Sequence, residues 1–159
     1  MHPPQDGPRL RMVEKATLTD MMVAYAQDAV GHAQASSGVA LDYSLDSIRG
    51  VEEIMDRLHA GIPRGFWGKL LRKVLRKGPS PEDLYKVSMM YGGYVGEVFR
   101  KAGGGEWTLD AEIVPGQDTI CLRNGGQRIW PTAKVYKRIL NGGEDSIWFY
   151  SQVVMGEWK

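Results

Sequence analysis

A single cysteine, Cys121, stands among 159 residues. No intrachain disulfide can form and a two-cysteine metal site is excluded, so a reducing, cytoplasmic setting is the simplest expectation. Histidine is almost as scarce. His2, His32 and His59 are scattered without a doublet such as His-x-x-x-His, and neither a metal nor any other cofactor is expected. No apolar run approaches the ~20 residues that span a bilayer. The first residues, MHPPQDGPRLRMVEK, lack an apolar stretch followed by a small-residue cleavage site, so no secretory signal is expected. Also missing are a Gly-x-Ser-x-Gly elbow, a Gly-Lys-Ser/Thr phosphate loop and a histidine beside Cys121. Cys121 sits in the apolar run Thr119-Ile120-Cys121-Leu122, which reads as a buried small hydrophobe rather than a reactive thiol.

What remains is an ordinary globular composition, 43% hydrophobic and 25% charged, which rules out a wholly disordered chain. Residues 1–15 read as a flexible arm and residues 16–159 as one domain, long enough to bury a sizeable core. The net charge of +1 hides a polarity. Arg57 to Lys77 holds seven basic residues and no acid; removing them from the total of 20 leaves 13 basic residues against 19 acidic ones.

Apolar spacing predicts a helix from Leu18 to about Ala35, capped by Thr17 or Thr19, with Met22, Tyr25, Ala29 and Ala33 on its buried stripe. Val39, Leu41 and Tyr43 alternate as a short extended segment. A second helix follows Ser44, with Ser47 competing for the cap. It buries Leu45, Ile48, Val51, Ile54 and Leu58 and turns Asp46, Glu52, Glu53 and Asp56 outward, ending at Gly61. A basic amphipathic helix spans residues 66–77. Ser80-Pro81-Glu82-Asp83 then opens a central helix with a capping serine, proline at the first helical position and two acids against the positive end of the dipole. That helix carries Leu84, Val87, Tyr91, Tyr94, Val95, Val98 and Ala102 and stops at Gly103-Gly104-Gly105. Strand-like alternation follows from Trp107 to Trp130, with Asn124-Gly125 as a hairpin signal. Pro131 starts a short helix with Val135, Ile139 and Leu140. Residues 145–155 fit a helix capped by Asp145, against the strand propensity of Ile-Trp-Phe-Tyr, and helix is preferred.

Function has to be sought in four features. Gly92, Gly93 and Gly96 each cost the central helix about 1 kcal/mol relative to alanine, so something passes very close to its backbone. Tight packing is the plain explanation and a ligand against bare backbone at Gly93 the functional one. Glu97 beside them reads plainly as a solvated pair with Arg100 or Lys101, and functionally as a buried carboxylate at a cleft. On the basic helix, Lys69, Arg72 and Lys73 with Arg76 could grip phosphates or an anionic membrane while Trp67 anchors at an interface, or they are a solvated face. Five tryptophans, four of them in the C-terminal third, read as packing, with Trp158 the best candidate for contact with a partner.

The order of motifs LDYSLDSIRGVEEIMDRL, YGGYVGEVFRKAGGGEW and IWPTAKVYKRILNGGEDSIWFY resembles an uncharacterised bacterial domain-of-unknown-function family, over roughly residues 40–152. The resemblance implies a small α+β domain and no catalytic residues. By analogy with similar-looking small domains it suggests an immunity-type inhibitor of a toxin.

The expectation is therefore one α+β domain, its N-terminal helices packed with C-terminal helices on a small antiparallel sheet from residues 106–130. The leading functional reading is a non-enzymatic protein-binding module. Two alternatives stay open: an anion-binding module using the basic helix on nucleic acid or a membrane surface, and an enzyme with Glu97 at a cleft. A glycine-bearing helix face would equally serve a dimer.

Overall fold

The structure, a computed structural model, describes residues 16–62, 79–114 and 117–158, and the arm expected to residue 15 and the basic helix at 66–77 lie outside them. Among the described residues the chain runs α1 (Leu18–Ser37), α2 (Ile48–Ala60), α3 (Pro81–Gly103), β1 (Glu106–Val114), β2 (Gln117–Asn124), β3 (Gln127–Ile129), α4 (Pro131–Asn141), a 3-10 turn (Gly142–Asp145) and α5 (Ile147–Glu157). The three strands form one antiparallel sheet in chain order, giving the single α+β domain that the sequence predicts.

The helix starts follow local chemistry. Thr17 accepts the amide of Asp20 while Asp20 accepts that of Thr17, and Ser80 and Asp83 repeat this reciprocal box before α3. Ser44 caps the turn into α2: its Oγ accepts the Ser47 amide at 3.1 Å, and Ser47 itself makes no capping bond. α5 is helical as preferred, but Ser146 rather than Asp145 caps it by accepting the Phe149 amide. Asp145 is instead drawn to Lys134.

The expected extended segment at residues 39–43 is a loop. Tyr43 has φ +64°, a left-handed conformation that breaks any alternation, and its amide donates to the Tyr94 hydroxyl at 2.9 Å instead of to a neighbouring strand. The hairpin turn is Gly125-Gly126, closed by the pair Asn124 and Gln127. Asn124 ties the turn back by donating Nδ2 to the Gly103 carbonyl at 3.0 Å.

One row of side chains crosses the sheet: Trp107 pairs with Leu122 and Leu122 with Ile129, and all three are buried. α3 buries more than the single row of apolar residues that its spacing marks. Every residue from Ser88 to Phe99 is buried, because α1, α4 and Trp107 of β1 enclose the helix from separate directions. Ala102, beyond that stretch, is exposed.

Candidate functional site

The three glycines of α3 admit three different neighbours. A Cβ on Gly92 would strike Thr132 of α4, one on Gly96 would strike the Trp107 ring, and one on Gly93 would lie 3.0 Å from the Met22 carbonyl oxygen of α1. Close packing, the plain reading of these residues, accounts for each.

Glu97 belongs to the same device. Its side chain is 3% exposed. Oε1 accepts the Trp107 indole Nε1–H at 2.8 Å and the Arg100 Nε–H at 2.8 Å, while Oε2 accepts Arg100 Nη2 at 3.0 Å. Arg100 is the partner expected at i+3, but the pair is buried at its acidic end instead of solvated. The hydrogen bonds to Glu97 hold the Arg100 guanidinium above its ordinary pKa. Gly96 makes room for the indole and Glu97 takes its N–H, so two adjacent residues together seat one side chain. Burial and the charge of Glu97 also push the nearby Tyr43 phenol up.

A second charged knot joins α2 to α4, where Glu52 and Asp56, expected to face outward, meet Arg138. Arg138 of α4 is 2% exposed and donates to Glu52 at 2.7 Å and, by a short bond, to Asp56. Glu52 also accepts Ser146 Oγ at 3.0 Å and the Trp148 amide at 2.8 Å, locking α2 to the start of α5. Burial opposes the Arg138 charge, but its bonds to Asp56 and Glu52 outweigh that and raise its pKa. The signal was available: Pro131, Val135, Arg138 and Gly142 share one helical face, so an arginine falls on the apolar stripe.

The surface features lie elsewhere. α3 and α4 touch at Gly92 and Thr132, and beside that contact they leave an open, mainly apolar cleft of about 410 Å³ lined by Pro81, Tyr85, Ser88, Met89, Thr132, Ala133, Tyr136 and Lys137. Across the exposed ridge of α4 is a smaller, more polar hollow of about 190 Å³, lined by Trp130, Ala133, Lys134, Lys137, Asp145 and Tyr150. Neither includes Glu97 or Gly93. No spacing in the sequence marks the cleft, because it arises only from how two helices separated by the sheet meet.

Trp67, Lys69, Arg72, Lys73 and Arg76 lie outside the described residues. Cys121 is fully buried. Trp158, the tryptophan singled out for a partner, packs on Phe99 with ring centroids 6.2 Å apart and lies against Gly103. Among the described residues no cluster of three or more metal-ligating side chains occurs, and no helix is long and apolar enough to cross a membrane. No protein-family model, curated protein or solved structure matches the chain.

Proposed function

We propose that this chain is a non-enzymatic protein-binding module whose partner seats an apolar segment in the cleft between α3 and α4. The observation that carries the reading is the composition of that cleft. Tyr85 and Tyr136 flank it at 62% and 40% exposure, above a floor that includes Met89. Tyrosine offers a large apolar face with a polar tip and little rotamer entropy to lose, which is why it is enriched at interface hot spots. Glu97 supports the same reading by being already occupied. Its carboxylate accepts three hydrogen bonds in a buried setting, so acid–base chemistry there would have to dismantle the seat of Trp107. An immunity-type inhibitor is the finer version, in which the cleft covers part of a toxin.

The test is a double substitution, Y85S with Y136S, at positions exposed enough to leave the fold intact. A partner isolated with the tagged wild-type chain and re-measured by calorimetry with purified components is expected to bind the variant at least ~10-fold more weakly. Equal affinity for both would move the interface away from the cleft. Turnover of a defined substrate, lost in E97Q at unchanged stability, would sink the non-enzymatic reading.

A further inference from the structure

We propose that the apolar segment seated in the cleft is the outer side of α5 from a second copy of this chain, the two copies exchanging Phe149 about a two-fold axis. This rests on the protein-binding reading and names the partner.

α5 is the helix that the domain leaves half used. Residues 146–156 carry no charged side chain. Ile147, Ser151 and Val154 face the core and are buried. The opposite side of the helix holds Phe149, Val153 and Gly156 beside Gln152, all exposed. Phe149, at 69% exposure, is the most exposed large hydrophobic side chain among the described residues. A helix that is apolar nearly all round is ordinarily covered all round, and an apolar patch left in water marks a contact surface.

The same molecule offers the matching hole. The cleft of about 410 Å³ is open and mainly apolar. A cavity of roughly 150 Å³ already holds a benzene ring, so a phenyl group enters the cleft with room to spare. Knob and hole lie on either flank of α4. Lys134 and Lys137 of α4 line the hollow together with Tyr150 of α5, so α5 runs beside the outer ridge of α4. The cleft opens on the other flank of that ridge, and Ala133 belongs to both. A two-fold axis over the ridge therefore sets each α5 against the cleft of the opposite copy, and both contacts form at once. The small side chain of Ala133 lets the two ridges approach, and α5 brings no charge into the cleft that receives it.

The surface on offer is large enough. The exposed parts of Tyr85, Tyr136 and Phe149, with those of Leu140 and Val153, amount to roughly 500 Å² of apolar area per copy. Apolar atoms make up roughly 60% of a typical interface, so the whole contact reaches the ~800 Å² per partner of a stable complex.

The experiment is sedimentation of the full chain as a function of concentration. The wild type is expected to form a reversible dimer with Kd below about 100 µM. F149S, and separately Y85S with Y136S, should each weaken it at least ~10-fold, and all three positions are exposed enough to leave the fold intact. Mixing the two variants should restore part of the association, because Phe149 of the tyrosine variant still finds an intact cleft on the F149S chain. A wild type that stays monomeric at about 0.3 mM overturns the proposal. The cleft reading falls separately, only if a different protein partner binds Y85S with Y136S as tightly as wild type. A dimer weakened by one variant alone, or by neither, does not pass Phe149 into the cleft. A mixture no tighter than its components places these residues on one shared patch without exchange. Either result also overturns the proposal.

Discussion

Replacing Gly96 by alanine separates what the glycine does for its helix from what it does for the fold. Locally the change is favourable, since alanine exceeds glycine by about 1 kcal/mol in a helix interior. Globally it is not. The new methyl would overlap the Trp107 ring, which is rigid and 4% exposed. Carbon atoms need about 3.5 Å, so the indole must retreat by more than an ångström. Such overpacking costs about 1–3 kcal/mol. The retreat also stretches the 2.8 Å bond from Nε1 to Glu97 beyond use, a bond to a buried charge worth about 1.5–3 kcal/mol. The net expectation is a loss of about 1.5–5 kcal/mol after the propensity gain is subtracted. Gly31, an exposed position in α1 where an added methyl would meet no atom within 4 Å, supplies the contrast. There the same substitution should stabilise by about 0.5–1 kcal/mol. Urea titrations of both variants, read as midpoints at unchanged slope, measure the pair. A second variant, G96A with W107L, should recover part of the loss. A neutral or stabilising G96A, or strict additivity with W107L, would refute the account of the glycine as a seat for the indole.

Two further outcomes are expected. R138A should cost about 2–4 kcal/mol by removing a buried guanidinium and leaving the half-buried Glu52 without its cation, whereas R57A, which breaks a pair 53% and 56% exposed, should cost under ~1 kcal/mol; equal losses in denaturant titrations would contradict the knot. Burial pushes Tyr91 up to about 12 from 10.0, so its contribution is intact below pH 10 and declines above it, where the unfolded chain ionises first. Its share of the decline is about 1.4 kcal/mol per pH unit until pH 12. Y91F should be about 1 kcal/mol less stable at neutral pH for want of the 2.7 Å bond with His32, yet lose stability less steeply in alkali; parallel slopes for the two proteins would contradict it.

Much of the fold is legible in the sequence because local chemistry and burial agree along it. Ser80-Pro81-Glu82-Asp83 names the start of α3 by its own hydrogen bonds, and the triple glycine names its end. Met22, Ala29 and Ala33 needed only their spacing. The failures share one cause: they depend on partners far away in sequence. Glu97 shows its Arg100 partner three residues on, but nothing local announces that Trp107 will return across a chain reversal to give it an N–H. Glu52 and Asp56 look like solvated acids until Arg138, more than 80 residues later, arrives. Tyr43 combines a positive φ with an amide held by the Tyr94 hydroxyl, a partner 51 residues away and invisible in Leu-Asp-Tyr-Ser alone. The candidate site is the least legible part, since the cleft and the hollow are spaces between elements.

The three glycines of α3 carry a consequence for how the helix comes to exist. Together they withhold about 3 kcal/mol of intrinsic helix preference from a segment of 23 residues. In proteins most of a helix's stability comes from packing its faces rather than from such preference. The most enclosed stretch among the described residues is thus one with little intrinsic help, and its helix leans on α1, Thr132 and Trp107 packed around it. The stability of this helix and the packing of its surroundings are therefore coupled, and loosening any one of those neighbours loosens the helix with it.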